Sequence, residues 1–181
     1  MINEFEIIKQ CIRKDRKAQK YLFEKYASVL LGVCRRYSAD YSEAEDMLQE
    51  GFVKIFLNLK SFAGKGALVN WMKKIMINTA ITWYHKNTKH RYHSDIEDMN
   101  LGSTLTIDDL EADFTREELL NVINGLPSGY KMVFNLYAIE GYKHKEIANL
   151  LKIDINTSKS QYSRAKKIIR EHLVEISKRF D

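Results

Sequence analysis

Apolar residues recur at three- and four-residue steps along most of this chain, and the strict alternation of a half-buried strand is missing. From Arg16 to Tyr37 the repeat runs Ala18, Leu22, Tyr26, Val29, Leu30, Val33 and Tyr37. A second repeat, Ala44, Leu48, Phe52, Ile55, Phe56 and Leu59, follows Ser42, and Glu45 stands three residues after that serine, the spacing of a capping box. The pattern predicts helices over Asn3–Lys14, Arg16–Tyr37, Ser42–Lys60 and, after the break SFAGKGA, Leu68–Lys86. Further on it predicts Thr115–Asn124, Pro127–Glu140, His144–Leu151 and Asn156–Lys178. No segment reads as a strand. The expected fold is all-α, two small helical domains.

Composition narrows the class. With 45% hydrophobic and 29% charged residues in 181, the chain can bury a core, which excludes general disorder. One proline, Pro127, and eight glycines suit long helices better than a turn-rich β fold. Cys11 and Cys34 lie in apolar helical patterns without metal-type spacing, as reduced core residues of a cytosolic protein would. No apolar run reaches the roughly 18 to 20 residues of a membrane span, and MINEFEIIKQ lacks the basic-then-apolar form of a signal peptide. The expectation is a soluble, intracellular protein with no membrane insertion.

Charge is distributed in blocks. Asp95 to Glu118 holds nine acidic residues and one basic residue, Arg116, while the rest of the chain holds 28 basic against 15 acidic. Two basic segments joined by an acidic one point to two polyanion-binding modules and a spacer. The spacer, HSDIEDMNLGSTLTIDDLEADF, lacks a sustained helical period. It divides the chain into 1–91, a linker at 92–114, and 115–181.

In the C-terminal module, HKEIANLLKIDINTSKSQYSRAKKIIREHL has the form of a helix-turn-helix. Ile147, Ala148 and Leu151 would face inward, with Ala148 small enough for a close helix crossing. Ile153 would plug the turn, and Asn156 or Thr157 would cap the second helix. Ser158, Tyr162, Ala165 and Ile169 would form that helix's inner side. Lys159, Ser160, Gln161, Ser163, Arg164 and Lys167 would point outward, as short polar and basic groups that can meet phosphates and base edges in a major groove. A basic, solvated helix in an ordinary bundle is the plainer alternative.

LPSGYKMVFNLYAIEGYKHKEIANLLKIDINTSKSQYSRAKKII, Leu126 to Ile169, resembles the C-terminal DNA-binding domain of bacterial RNA polymerase sigma factors of the extracytoplasmic-function group. The leucine-proline start, the EG before the motif, EIA and TSKSQ fall in order. The resemblance implies reading of the minus-thirty-five promoter element by Thr157, Ser158, Lys159, Ser160, Gln161, Ser163, Arg164 and Lys167. Lys152 departs from the glycine the family favours in the turn, and Ile155-Asn156 replaces a commoner Ser/Pro-x-Gly.

The same family has counterparts upstream. EAEDMLQEGFVKIFLNL resembles its polymerase-binding helix, and FAGKGALVNWMKKIMINTAITWYHK the helix that melts and captures the minus-ten element. Spacing alone puts Glu43, Asp46 and Glu50 on one helix face, leaving a metal site, a solvated surface and a protein dock as readings. The resemblance selects the dock and implies Asp46, Gln49 and Glu50 as contacts to core polymerase, with Leu48 and Phe52 mainly core. The next helix mixes Trp71, Lys73, Lys74, Asn78, Trp83, Tyr84, Lys86 and Lys89, and rings among lysines suit single-stranded DNA. Lys65, Lys73, Lys74, Asn78, Trp83 and Tyr84 are the candidate minus-ten residues, and Trp71 is expected in the core. By resemblance the loop Ser61–Ala67 captures an unstacked base.

Thr82 and His85 stand where the family commonly has Asp and Arg, so an intrahelical ion pair is missing there. His85, His90 and His93 lack cysteine or carboxylate companions in register for a metal. No cofactor and no covalent chemistry are expected. The implied partners are core RNA polymerase, promoter DNA and an anti-sigma protein. Two rivals stand beside this reading: a homodimeric helix-turn-helix regulator, and a metal-dependent nucleic-acid enzyme using Glu43, Asp46 and Glu50.

Overall fold

The computed structural model describes residues 4–62, 64–89 and 114–178. Among them there are helices and turns and no strand. The chain divides into two compact units, Met1–Trp83 and Tyr84–Asp181. Apart from Phe114, the expected linker at 92–114 lies outside the described residues.

The first unit is built from α1 (Glu4–Ile12), α2 (Arg16–Cys34), α3 (Tyr41–Asn58), a 3-10 turn at Leu59–Ser61, and α4 (Leu68–Lys89) as far as Trp83. Its core takes Leu22, Leu30 and Val33 from α2, Met47, Phe52 and Ile55 from α3, and Met72, Met76 and Ile77 from α4, each no more than 3% exposed. Full burial of such side chains stabilises by about 1.5–3 kcal/mol apiece, which lets three amphipathic helices hold together without a sheet. Two expectations need correcting. Val29 is 49% exposed although the α2 repeat included it. Trp71 is half-buried, its ring against Phe62 with 5.6 Å between centroids, so it lies at the core's margin.

Helix starts also shift. Ser42 does not cap α3: Asp40 does, accepting from the Glu43 amide at 2.8 Å, while the Glu43 carboxylate accepts from the Ala39 amide. Ser42 is already inside the first turn, two positions past the cap. Asp15 caps α2 in the same way, accepting from Ala18 N at 2.8 Å. Caps of this kind contribute about 1 kcal/mol each.

The second unit contains α5 (Arg116–Asn124), α6 (Ser128–Phe134), α7 (His144–Leu151) and α8 (Ile155–Ser177). Thr115 and Glu118 close a reciprocal capping box at the start of α5. That pairing of the carboxylate with Thr115 also holds the Glu118 carboxyl below its ordinary range. Val122 and Leu126 pack on Ala165, Ile169 and Leu173 of α8. The single helix expected over Pro127–Glu140 is instead α6 followed by a π-turn at Asn135–Ile139. The turn is closed by Glu140 N to Asn135 O at 3.0 Å, an i to i+5 bond. Gly141 then takes φ of 77°, which turns the chain into α7.

Candidate nucleic-acid interface

In the second unit, α7 and α8 form the helix-turn-helix. Ile147, Ala148 and Leu151 are buried, as their spacing implies. Lys152 ends α7 in the left-handed region, φ 56° and ψ 44°, with its amide on Ala148 O. The fold therefore keeps the glycine-type turn with a lysine in it. Asp154, rather than Asn156 or Thr157, caps α8 by accepting from Asn156 N at 2.7 Å. With the helix starting at Ile155, Asn156 and Thr157 already lie within its first turn.

The start of α8 is held by an aromatic stack that the sequence pattern did not reveal. The His144 ring lies on Tyr137, with centroids 4.3 Å apart and planes at 15°, and meets Tyr162 edge-on at 5.8 Å. Nδ1 of His144 is 3.0 Å from Oγ of Ser158. Burial, then the neighbouring Lys159, holds the imidazole below its usual range, so it is neutral at pH 7. Ser158 is fully buried and cannot reach a base edge, which corrects its place among the DNA contacts.

Lys159 and Ser160 are exposed, while Thr157, Ser163, Arg164 and Lys167 are half-buried. Arg164 donates to the Tyr130 hydroxyl at 3.4 Å, and Lys167 lies 4.0 Å from Glu171. Gln161 is not freely outward: its amide packs on Gly129, where a β-carbon would stand 3.1 Å from Nε2. Lys143 and Lys145 are exposed at the start of α7 and add positive charge to the motif beyond the residues expected.

In the first unit, Asp46 and Gln49 are exposed on α3. The same face continues at four- and three-residue steps into Val53 and Leu57, which are 58% and 76% exposed. Exposed polar residues running into bare aliphatics on one helix are the kind of surface that favours a protein partner over plain solvation. Glu50 is half-buried: Oε2 accepts from the Trp83 indole at 2.7 Å, and Oε1 pairs with Lys54 at 2.7 Å. Trp83, placed among the minus-ten residues, is thus turned toward α3.

The loop before α4 carries Gly64 and Gly66 at φ 69° and 82°, with Lys65 exposed between them. On α4, Lys74 and Asn78 are exposed, and Lys73 and Tyr84 are half-buried. The Thr82 hydroxyl turns back to Asn78 O at 2.9 Å. Cys11 and Cys34 are buried, their thiols pushed up to about 11 and about 12 by desolvation, so neither supplies a thiolate. Among the described residues no three His, Cys, Asp or Glu side chains gather as a metal site, and His90 and His93 lie outside those residues. No helix among them is long and apolar enough to cross a membrane.

Two compact helical units, one with a basic helix-turn-helix and one with an exposed acidic-to-aliphatic helix face, suit a DNA-binding protein that also engages a protein partner. Residues 22–90 match the sigma-70 region 2 family, and residues 116–169 match sigma-70 region 4. The chain belongs to the RNA polymerase sigma factors, in the extracytoplasmic-function group. It is 25% identical over 177 residues to the ECF RNA polymerase sigma-E factor of Haemophilus influenzae, covering 92% of this chain and 93% of that one. It is 28% identical over 178 residues to the RNA polymerase sigma-H factor of Pseudomonas aeruginosa, covering 93% and 92%. Its fold is similar to that of the sigma factor RpoE solved with the anti-sigma factor NepR from Bartonella quintana. There the TM-score is 0.51 at 20% identity, over 85% of this chain and 95% of that one.

Proposed function

We propose that this sigma factor uses the α3 face to hold core RNA polymerase and its two basic surfaces to hold the two promoter elements. Asp46, Gln49 and Glu50 supply polar contacts to a basic polymerase surface, and Val53 and Leu57 supply the apolar ones. On the minus-ten element, Lys73 and Lys74 hold the backbone, Asn78, Trp83 and Tyr84 meet displaced bases, and Lys65 lies beside the base-capturing loop. On the minus-thirty-five element, Lys159 and Arg164 hold phosphates while Thr157, Ser160 and Ser163 sort base edges, with Gln161 packed behind them and Lys167 at the flank.

The chemistry is entirely non-covalent. Counterion release supplies affinity, base contacts supply the choice of promoter, and binding energy spent on extruded bases opens the duplex. The acidic segment at 92–114 couples the two modules through effective concentration. The protein acts in the cytoplasm, where the polymerase is, needs no cofactor, and is held in check by an anti-sigma protein that covers its exposed faces.

The observation that carries this reading is the continuity of exposed Asp46 and Gln49 with bare Val53 and Leu57 on one helix. Capture of core polymerase by the immobilised full chain tests it. Wild type retains polymerase, and Asp46→Ala/Gln49→Ala with Leu57→Ser loses it at unchanged helix content. A folded wild type that retains none, yet shifts a palindromic duplex as a dimer, makes the protein a conventional helix-turn-helix regulator.

A further inference from the structure

The residue that the docking face shares with the minus-ten surface is Glu50. Both of its carboxylate oxygens are occupied from within the first unit: Oε2 by the Trp83 indole at 2.7 Å and Oε1 by the Lys54 ammonium at 2.7 Å. Lys54 also reaches the hydroxyl of buried Thr79 at 3.2 Å, and that hydroxyl donates to Ile75 O at 2.9 Å. The chain of contacts therefore runs from α3 across to α4 and back into the α4 backbone. It is not sealed off, since the side chains of Glu50 and Lys54 are 33% and 35% exposed. A cation arriving on the docking face meets the same carboxylate that holds the indole.

An indole has one N–H and no acceptor, so Trp83 has a single polar tie to lose. While that tie is made, one edge of the ring faces α3. Once the carboxylate is drawn to an incoming cation, the ring is free to change rotamer and offer its face to an unstacked base. Lys54 stays within reach of the displaced carboxylate, so no charge is left without a partner.

We propose that Glu50 is a latch between the two surfaces: a basic group of the docked partner takes the Glu50 carboxylate and releases Trp83 for stacking on single-stranded DNA. This deepens the proposed function and rests on it. Linkage then requires the reverse as well, so single-stranded DNA that captures Trp83 tightens the partner's hold on the α3 face by the same factor. The free protein keeps its stacking ring turned away from stray single strands, and polymerase uncovers it.

The test follows Trp83 alone, since Trp71 is the only other tryptophan. In a full chain carrying Trp71→Phe, 5-hydroxytryptophan replaces Trp83 and is excited where polymerase tryptophans do not absorb. Acrylamide quenching is measured free and with core polymerase, and binding is followed by sedimentation. In the free chain, Glu50→Ala raises the quenching constant about two- to threefold, whereas Glu50→Gln, which keeps an acceptor oxygen, stays near wild type. Polymerase raises the wild-type constant to the level of free Glu50→Ala. Equal quenching in free wild type and folded Glu50→Ala overturns the latch, as does a polymerase complex in which Trp83 stays protected. Failure of wild type to form any complex overturns the proposed function itself, and the latch with it.

Discussion

Met76 fills the space that a β-carbon on Gly51 would need: built there, that carbon lies 2.2 Å from Sδ of Met76. Met76 is fully buried and its sulfur is 3.9 Å from Cys34 Sγ, so the side chain has little room to withdraw. Gly51→Ala on a solvated helix would stabilise by about 1 kcal/mol. Here overpacking, at about 1–3 kcal/mol, outweighs that gain. The urea midpoint of Gly51→Ala should fall below wild type, and Met76→Ala in the same chain should cost less than the sum of the two single changes.

Lys152 holds a left-handed turn conformation at a cost that glycine does not carry. Lys152→Gly should raise the stability of the second unit by up to about 1 kcal/mol, and Lys152→Val should lower it. Thermal unfolding of the full chain, followed through tyrosine exposure in that unit, checks both signs.

The neutral imidazole between Tyr137 and Ser158 makes stability depend on pH. Its pKa is lower in the folded state than in the unfolded one, so the folded state binds fewer protons. The contribution is complete above the unfolded value of about 6.5 and is lost as pH falls through the folded value. Wild type should therefore lose stability between pH 7 and 5 more steeply than His144→Gln, which cannot titrate. Parallel melting curves for the two proteins against pH would contradict the assignment.

Lys159 is exposed beside the buried Ser158, and in the proposed complex it holds a phosphate and not a base. Lys159→Ala in holoenzyme should weaken promoter binding by a similar factor on every minus-thirty-five sequence and lower the salt slope by about 1. Ser160→Ala should instead change which sequences are preferred. Selection from a randomised duplex separates the two.

Most of the fold was legible because burial in a helical bundle imposes a 3.6-residue period, and α2, α3, α7 and α8 each carry it openly. Where that period breaks, legibility ends. The π-turn at Asn135–Ile139 adds one residue to a helical turn without leaving a sequence signature. The caps were misplaced because Ser42 and Thr157 are as acceptable chemically as Asp40 and Asp154, and only the backbone decides which stands outside the first turn. At the site, Asp46 and Gln49 could be read from helix spacing, but the bond from Trp83 to Glu50 joins residues 33 apart on different helices. Local periodicity carries no such information. Val53 and Leu57 stand at helical steps from Glu50, but an aliphatic at that spacing suits a buried face as well as a bare one, and only their exposure separates the two.

Promoter-directed initiation is read out by reconstituted transcription. Core polymerase with and without this protein is given a genomic fragment library, and transcript starts are mapped. Starts should appear only with the protein, share two upstream elements, and disappear with Asp46→Ala/Gln49→Ala/Leu57→Ser. Polymerase that binds the protein yet starts nowhere new, or identical starts with and without it, would rule out promoter-directed initiation by this protein.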